Sequence, residues 1–214
     1  MIIYVGGAKG GVGKSLTSML MLDILLDQNP LLIETDQSNP DVAKAYSSTV
    51  ETLASDLDTP QGWSRTLTAI HEQQARPIVV NSAARNSDGV REFGSSFAAL
   101  GVDMLLLWPI NAQRDSLELL ADFLDIVSPQ RKAVVKNGYF GREGDFELFD
   151  KSKMSKSLEV VYLPKLLENV ANTIYSERKA LHQLAEDLTF GDRLLFEGWR
   201  KKAHAALKPL LASC

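Results

Sequence analysis

The chain has 214 residues, 45% hydrophobic and 23% charged, which fits one globular domain with a sizeable core or at most two small ones. A formal charge of -4 argues against a dedicated nucleic-acid binder, although it leaves room for a local basic patch. The single cysteine, Cys214, excludes intrachain disulfides, cysteine-based zinc sites and iron–sulfur clusters, and His71, His182 and His204 lack metal-ligand spacing.

The opening MIIYV, ending at Gly6-Gly7, reads as a buried strand. Residues 14–28 read as a helix closed by Asn29-Pro30. Its apolar run LTSMLMLDILL is too short to cross a bilayer and contains Asp23. It also lacks the marks of a signal peptide, so a cytoplasmic protein is expected. LLIET (31–35) is the next strand, followed by the polar turn DQSNPD. A helix over 60–75, a strand at RPIVVN (76–81) and a helix over 89–100 come next. DMLLLWP (103–109) reads as a buried strand stopped by Pro109, and residues 114–127 carry leucine and phenylalanine at helical spacing. KAVVKN (132–137) and LEVVYLP (158–164) are further strands, and the chain from 165 onward reads as helices. The acidic-then-basic stretch 142–156 suits a solvated loop or short helix, with a partner surface as the alternative.

Short runs of Val, Ile and Leu, without the in–out alternation of a half-exposed sheet, are interleaved with helices. That pattern predicts an α/β fold with a mostly parallel sheet covered on both faces. A single domain over 1–214 is expected, with the helices of about 165–214 docked on it. In the last of them Leu195, Trp199, Ala203, Ala206 and Leu210 share one face beside the basic Arg200, Lys201 and Lys202. Gly198 and the weak, alanine-rich face favour docking over insertion into a membrane.

GAKGGVGKS (7–15) fits the phosphate-loop pattern G-x-x-x-x-G-K-[ST], loosely at its leading glycine. Phosphate oxygens need several backbone N–H groups converging on them, which requires close approach and dihedrals that glycine adopts cheaply. Gly11 and Gly13 supply that freedom, the following helix adds its N-terminal partial charge, Lys14 reaches phosphate and Ser15 offers a hydroxyl to Mg²⁺. A Rossmann dinucleotide site is disfavoured, because the glycines are not spaced G-x-G-x-x-G.

Lys9-Gly10-Gly11-Val12-Gly13-Lys14-Ser15 resembles the deviant Walker A motif of the ParA/MinD ATPases, whose three-layer P-loop fold is thereby implied. The resemblance implies that Lys9 acts in trans, touching the ATP of a partner subunit, so that ATP binding makes a homodimer. LLIETDQSNPD (31–41) is similar to the family's switch I. There Asp36 matches the aspartate that positions the attacking water and contacts the Mg²⁺ shell, and Glu34 stands in for the first aspartate. By the same resemblance Gly10, Gly11, Val12, Gly13, Lys14, Ser15 and Leu16 cradle the phosphates. Asn137 reads adenine, and Pro164 lies where the chain wraps the base. Catalysis would fall to Lys9, Lys14 and Asp36, and metal binding to Ser15, Asp36 and Asn81.

Two positions depart from the family. Asn81 occupies the strand-end position of the Walker B aspartate, so a missing negative charge is expected to weaken metal binding or slow hydrolysis, and Asn81→Asp to restore it. Leu16 replaces a hydroxyl residue. The segment NGYFG (137–141) and the tail DLTFGDRLLFEGWRKKAHAAL look like the short ParA-like ATPases of conjugal-transfer and mobilisation regions. The absence of DNA-binding helices before the P-loop strand sets the chain apart from long partition proteins. The implied function is an ATP-driven dimerisation switch, a slow Mg-ATPase serving plasmid partition, maintenance or conjugal DNA transfer. Its partner would be a plasmid-encoded adaptor or a relaxosome or partition protein, with non-specific DNA also in view. The alternatives are a dethiobiotin synthetase-like ligase and a non-hydrolysing nucleotide-dependent adaptor.

Overall fold

The apolar opening run forms β1 (Ile2–Val5), buried at every residue, and leads through the glycine loop into α1 (Lys14–Leu25). β2 (Leu31–Glu34), α2 (Asp41–Tyr46), β3 (Glu51–Ala54) and α3 (Pro60–Glu72) follow. Next come β4 (Ile78–Asn81), α4 (Ser87–Phe93), β5 (Met104–Ile110) and α5 (Asp115–Val127). The remainder holds β6 (Arg131–Asn137), α6 (Glu147–Asp150), β7 (Glu159–Leu163), α7 (Glu168–Glu177) and α8 (Phe190–Leu207). In the computed structural model of the chain the described residues are 1–7, 10–83 and 87–212.

Among the described residues the sheet has seven strands in the order β3-β2-β4-β1-β5-β6-β7, and every neighbouring pair is parallel. Side chains alternate across each strand, so each face has its own core. Ile3, Val5, Leu105 and Leu107 meet α1, α2, α7 and α8 on one side. Ile2, Tyr4, Leu106 and Trp108 meet α3, α4 and α5 on the other, around Trp63, Phe97 and Phe123. The three-layer P-loop fold expected from the motif is therefore present. Its register also sets the site: Asn81 at the end of β4 is opposite Val5 of β1 on one side and Glu34 of β2 on the other. Three strand ends thus converge where open α/β sheets hold ligands.

Several local expectations are corrected. Pro109 does not stop β5, which runs on to Ile110 with Pro109 opposite Val135. β1 pairs no further along β5 than Leu107, so beyond it one side of β5 has no ladder for a proline to interrupt. β3 carries no apolar run to announce it, because it is an exposed edge strand. The 142–156 stretch does contain a short helix, α6, but it is anchored and not merely solvated: Phe146 and Phe149 are buried, and Lys136 donates to the Glu143 carbonyl at 2.9 Å and to Asp150 at 3.0 Å. In α8 the buried face is Phe196, Trp199, Ala203 and Leu207, while Leu195 is 57% exposed. The predicted stripe begins one residue early, on the wrong side of the larger phenylalanine.

α8 is tied back to the P-loop helix. Arg200 reaches the Asp23 carboxylate of α1 with two hydrogen bonds of 2.7 and 2.9 Å, and His204 Nε2 lies 2.7 Å from the same group. The Trp199 indole N–H donates to the Pro164 carbonyl at 2.7 Å.

Candidate functional site

The loop between β1 and α1 is shaped by glycine where the geometry demands it. Gly11 has φ 81° and Gly13 φ 106°, both left-handed, and a Cβ on Gly13 would lie 2.4 Å from the Asn137 side-chain nitrogen. Gly13 caps α1 without a side-chain hydrogen bond, and the first turn has no acidic residue. The helix therefore presents its N-terminal N–H groups and partial positive charge to the space in front of it. That space is a cleft of about 490 Å³, within the ordinary range for small-molecule sites.

Gly10, Gly11, Gly13, Lys14, Ser15, Leu16, Asp36, Asn81 and Asn137 all line this cleft, so separated stretches of chain meet there. Lys14 is only 8% exposed; burial lowers its pKa from 10.5 to about 8, and the nearby Asp36 charge opposes that shift. A buried ammonium facing a cleft gains from an incoming anion. The Asp36 carboxylate accepts from the N–H groups of Ser38 and Asn39 at 3.1 and 2.9 Å, which fixes its loop in a tight turn.

Beneath the cleft floor runs a chain of buried hydrogen bonds. Ser18 of α1 donates to Asn81 Oδ1 at 2.9 Å, and Asn81 Nδ2 donates to Glu34 Oε1 at 2.8 Å. Glu34 also accepts from the N–H groups of Asp36 at 3.1 Å and Ala43 at 3.3 Å. Burial raises its carboxyl pKa to about 7, only partly offset by these hydrogen bonds. Thr35 Oγ1 donates to the Asn81 carbonyl and accepts from the Ala83 N–H, joining the ends of β2 and β4 a second time.

Two of the sequence-derived positions, Val12 and Pro164, lie off the cleft wall, and a third on it, Asn137, is engaged within the protein. Val12 is buried and off the cleft wall; it contributes a carbonyl that accepts from Asn137 Nδ2 at 3.0 Å. Asn137 Oδ1 receives the Tyr139 N–H, so both ends of its amide are engaged within the protein, as a brace for the loop. Pro164 is not on the wall either, because its carbonyl faces Trp199; Lys165 and Leu166 stand there instead. Lys9 lies outside the described residues.

The sequence assigned no site role to Tyr139, Lys165, Glu168, Asn172 and Tyr175, which form the outer wall. Tyr139 is 67% exposed with Lys165 Nζ 5.6 Å from its ring centre. Its place two residues after Asn137 was the available signal. Tyr175 and Asn172 sit on α7 with nothing in their spacing to mark them. Among the described residues no cluster of three or more His, Cys, Asp or Glu is arranged to hold a metal by itself. No helix of the described residues is long and apolar enough to cross a membrane.

No family model matches the chain. Protein MobD of Acidithiobacillus ferrooxidans is 38% identical over 221 aligned positions, spanning 98% of this chain and 97% of that protein. Among solved structures, apo McdA from Cyanothece aligns over 99% of both chains with TM-score 0.63 and 14% identity. MinD from Aquifex aeolicus aligns over 100% of this chain and 98% of its own, with TM-score 0.60 and 14% identity. A plasmid partition protein from Borrelia burgdorferi, bound to AMPPNP, aligns over 94% and 96% with TM-score 0.61 and 15% identity. Identities this low speak to fold, whereas 38% over nearly the whole length speaks to kinship. The chain belongs to the family of MobD, a mobilisation-type relative built on the ParA/MinD P-loop fold.

Proposed function

We propose that the cleft binds Mg-ATP and that the protein is an ATP-dependent dimerisation switch with slow hydrolysis, acting in plasmid mobilisation or partition. The observation that carries this reading is the N-terminus of α1, capped by Gly13 without a side-chain hydrogen bond and opening with a buried Lys14 onto a cleft that also holds Asp36. The names of the relatives agree: a MobD protein, a partition protein holding AMPPNP, and a Pyrococcus horikoshii MinD in complex with Mg-ADP.

The residues present fit a metal–triphosphate. The glycine loop and helix N-terminus offer donors to phosphate oxygens, and Lys14 offers a buried charge on the cleft wall. Ser15 and Asp36 are the groups that would hold Mg²⁺, which when bound neutralises phosphate charge. Asp36 would also orient water, its loop held in place by the Ser38 and Asn39 turn. Tyr139 offers a ring on which a base can stack at the outer wall, and Lys165 lies beside it. Asn137 spends one N–H on the Val12 carbonyl and one lone pair on the Tyr139 N–H, which braces the loop, and keeps a second N–H and lone pair for a base.

Lys9 is assigned to the ATP of a facing subunit. Its test is light scattering with ATP, using Asp36→Ala to block hydrolysis. Dimers are expected with Asp36→Ala, and Lys9→Ala is expected to keep ATP affinity while losing the dimer and the ATPase activity. A Lys9→Ala protein that dimerises and hydrolyses ATP normally contradicts the switch.

A further inference from the structure

Asn81 stands where a carboxylate was expected, but a carboxylate is present 2.8 Å away, on the neighbouring strand. We propose that Glu34 and Asn81 are a matched pair: the β2 strand end keeps its carboxylate, the β4 strand end supplies an amide that donates to it, and Glu34 acts as a positioning residue for the Asp36 loop. The role concerns the nucleotide site proposed above. Glu34 is 1% exposed and Asn81 2%, so neither can turn to water for a substitute partner.

The geometry explains why each member needs the other. Glu34 holds both ends of the loop that lines the cleft, through the Asp36 N–H at its start and the Ala43 N–H in the first turn of α2. One side-chain carboxylate thereby sets where Asp36, Asn39 and Asp41 stand. Asn81 must then be a donor toward Glu34 and an acceptor toward Ser18, which an amide satisfies and a carboxylate does not. An aspartate at this position would face Glu34 at hydrogen-bond distance, and two carboxylates so close cannot both ionise. Asn81→Asp is therefore expected to harm the site, the reverse of the outcome anticipated from the motif.

The test is a double-mutant cycle of Asn81→Asp, Glu34→Gln and their combination, read at pH 8 by thermal unfolding without nucleotide and by Mg-ATP titration. Asn81→Asp alone should lower the unfolding midpoint and weaken Mg-ATP by about tenfold or more, since one charge must be expelled or protonated. The double variant should regain most of the midpoint, because the amide introduced on β2 can donate to the carboxylate introduced on β4. It should not regain Mg-ATP affinity, because the amide group that makes this bond can no longer accept from the Asp36 N–H. That split between stability and affinity is one that a merely structural pair does not produce. Additive midpoints, or an Asn81→Asp protein with undiminished stability and affinity, overturn the pairing. If Asn81→Asp does not fold, recovery of folding in the double variant supports the pair and continued failure overturns it. Absence of Mg-ATP binding by the unsubstituted protein would sink the nucleotide reading, and the nucleotide-free midpoints would still decide the pairing.

Discussion

The two ends of α1 each have a buried carboxylate nearby, and their environments are opposite. Toward its C-terminal end, the Asp23 side chain has no solvent exposure and is met by Arg200 and His204, with His182 Nδ1 3.9 Å away. Burial pushes its carboxyl up, but the hydrogen bonds from His204 and Arg200 and their charges outweigh that and hold it below the usual range. Under the N-terminal end, Glu34 receives neutral donors among the described residues, from Asn81, Asp36 and Ala43, and burial carries its pKa up to about 7. Asp23 is neutralised within the fold and serves as a clamp between α1 and α8. At the cleft end burial instead lowers the Lys14 pKa to about 8 and raises that of Glu34 to about 7.

The comparison breaks first at the clamp. Asp23→Ala leaves Arg200 and His204 without their shared anion, and breaking a buried pair this way costs about 3 kcal/mol, with solvent access to Arg200 limiting the loss. For a chain of this size that lowers the unfolding midpoint by roughly 6–12 °C. Unfolding of Asp23→Ala at an unchanged midpoint would show that α8 is not clamped to α1 through this residue.

The pH dependence of stability sharpens the contrast, because the two carboxylates have opposite signs. Asp23 has a lowered folded pKa, so its stabilisation is fully present above the ordinary value of 3.8 and is lost as pH falls through the lower, folded value. Glu34 has a raised folded pKa, so between 4.5 and about 7 the folded chain holds a proton that the unfolded chain has lost. Its contribution therefore falls as pH rises through that window, by up to about 3 kcal/mol, and stays low above it. Urea unfolding of Glu34→Gln at pH 5 and pH 8 should lack that decline relative to the unsubstituted chain. Equal declines in the two proteins would remove Glu34 as its source.

How far the sequence revealed this arrangement depended on the kind of signal each part carries. β1, α1 and β2 were legible because buried parallel strands are continuous apolar runs and the glycine loop separates them. The place of Lys14 and Ser15 at the cleft was legible from the spacing of the glycine loop, and that of Asp36 from the resemblance of its strand end to switch I. The outer wall was not, since Lys165, Asn172 and Tyr175 reach the cleft only through the packing of β7 and α7 onto the sheet. The Glu34–Asn81 bond is the clearest case: 47 positions separate the residues, and only the parallel register of β2 and β4 brings them together. Read alone, Asn81 looks like a lost charge. Beside Glu34 it is the donor that a buried carboxylate needs.

The central claim, that the Lys14 end of α1 is built for a metal–triphosphate, is tested most directly by titrating Mg-ATP into the protein and into Lys14→Ala at pH 8.5 by calorimetry. In buffers of different ionisation enthalpy, binding by the unsubstituted chain should take up a fraction of a proton, because phosphate favours the charged form of a lysine whose free pKa is about 8. Lys14→Ala should show neither binding nor uptake. Equal Mg-ATP affinity in the two proteins, or no binding by either, would contradict the account.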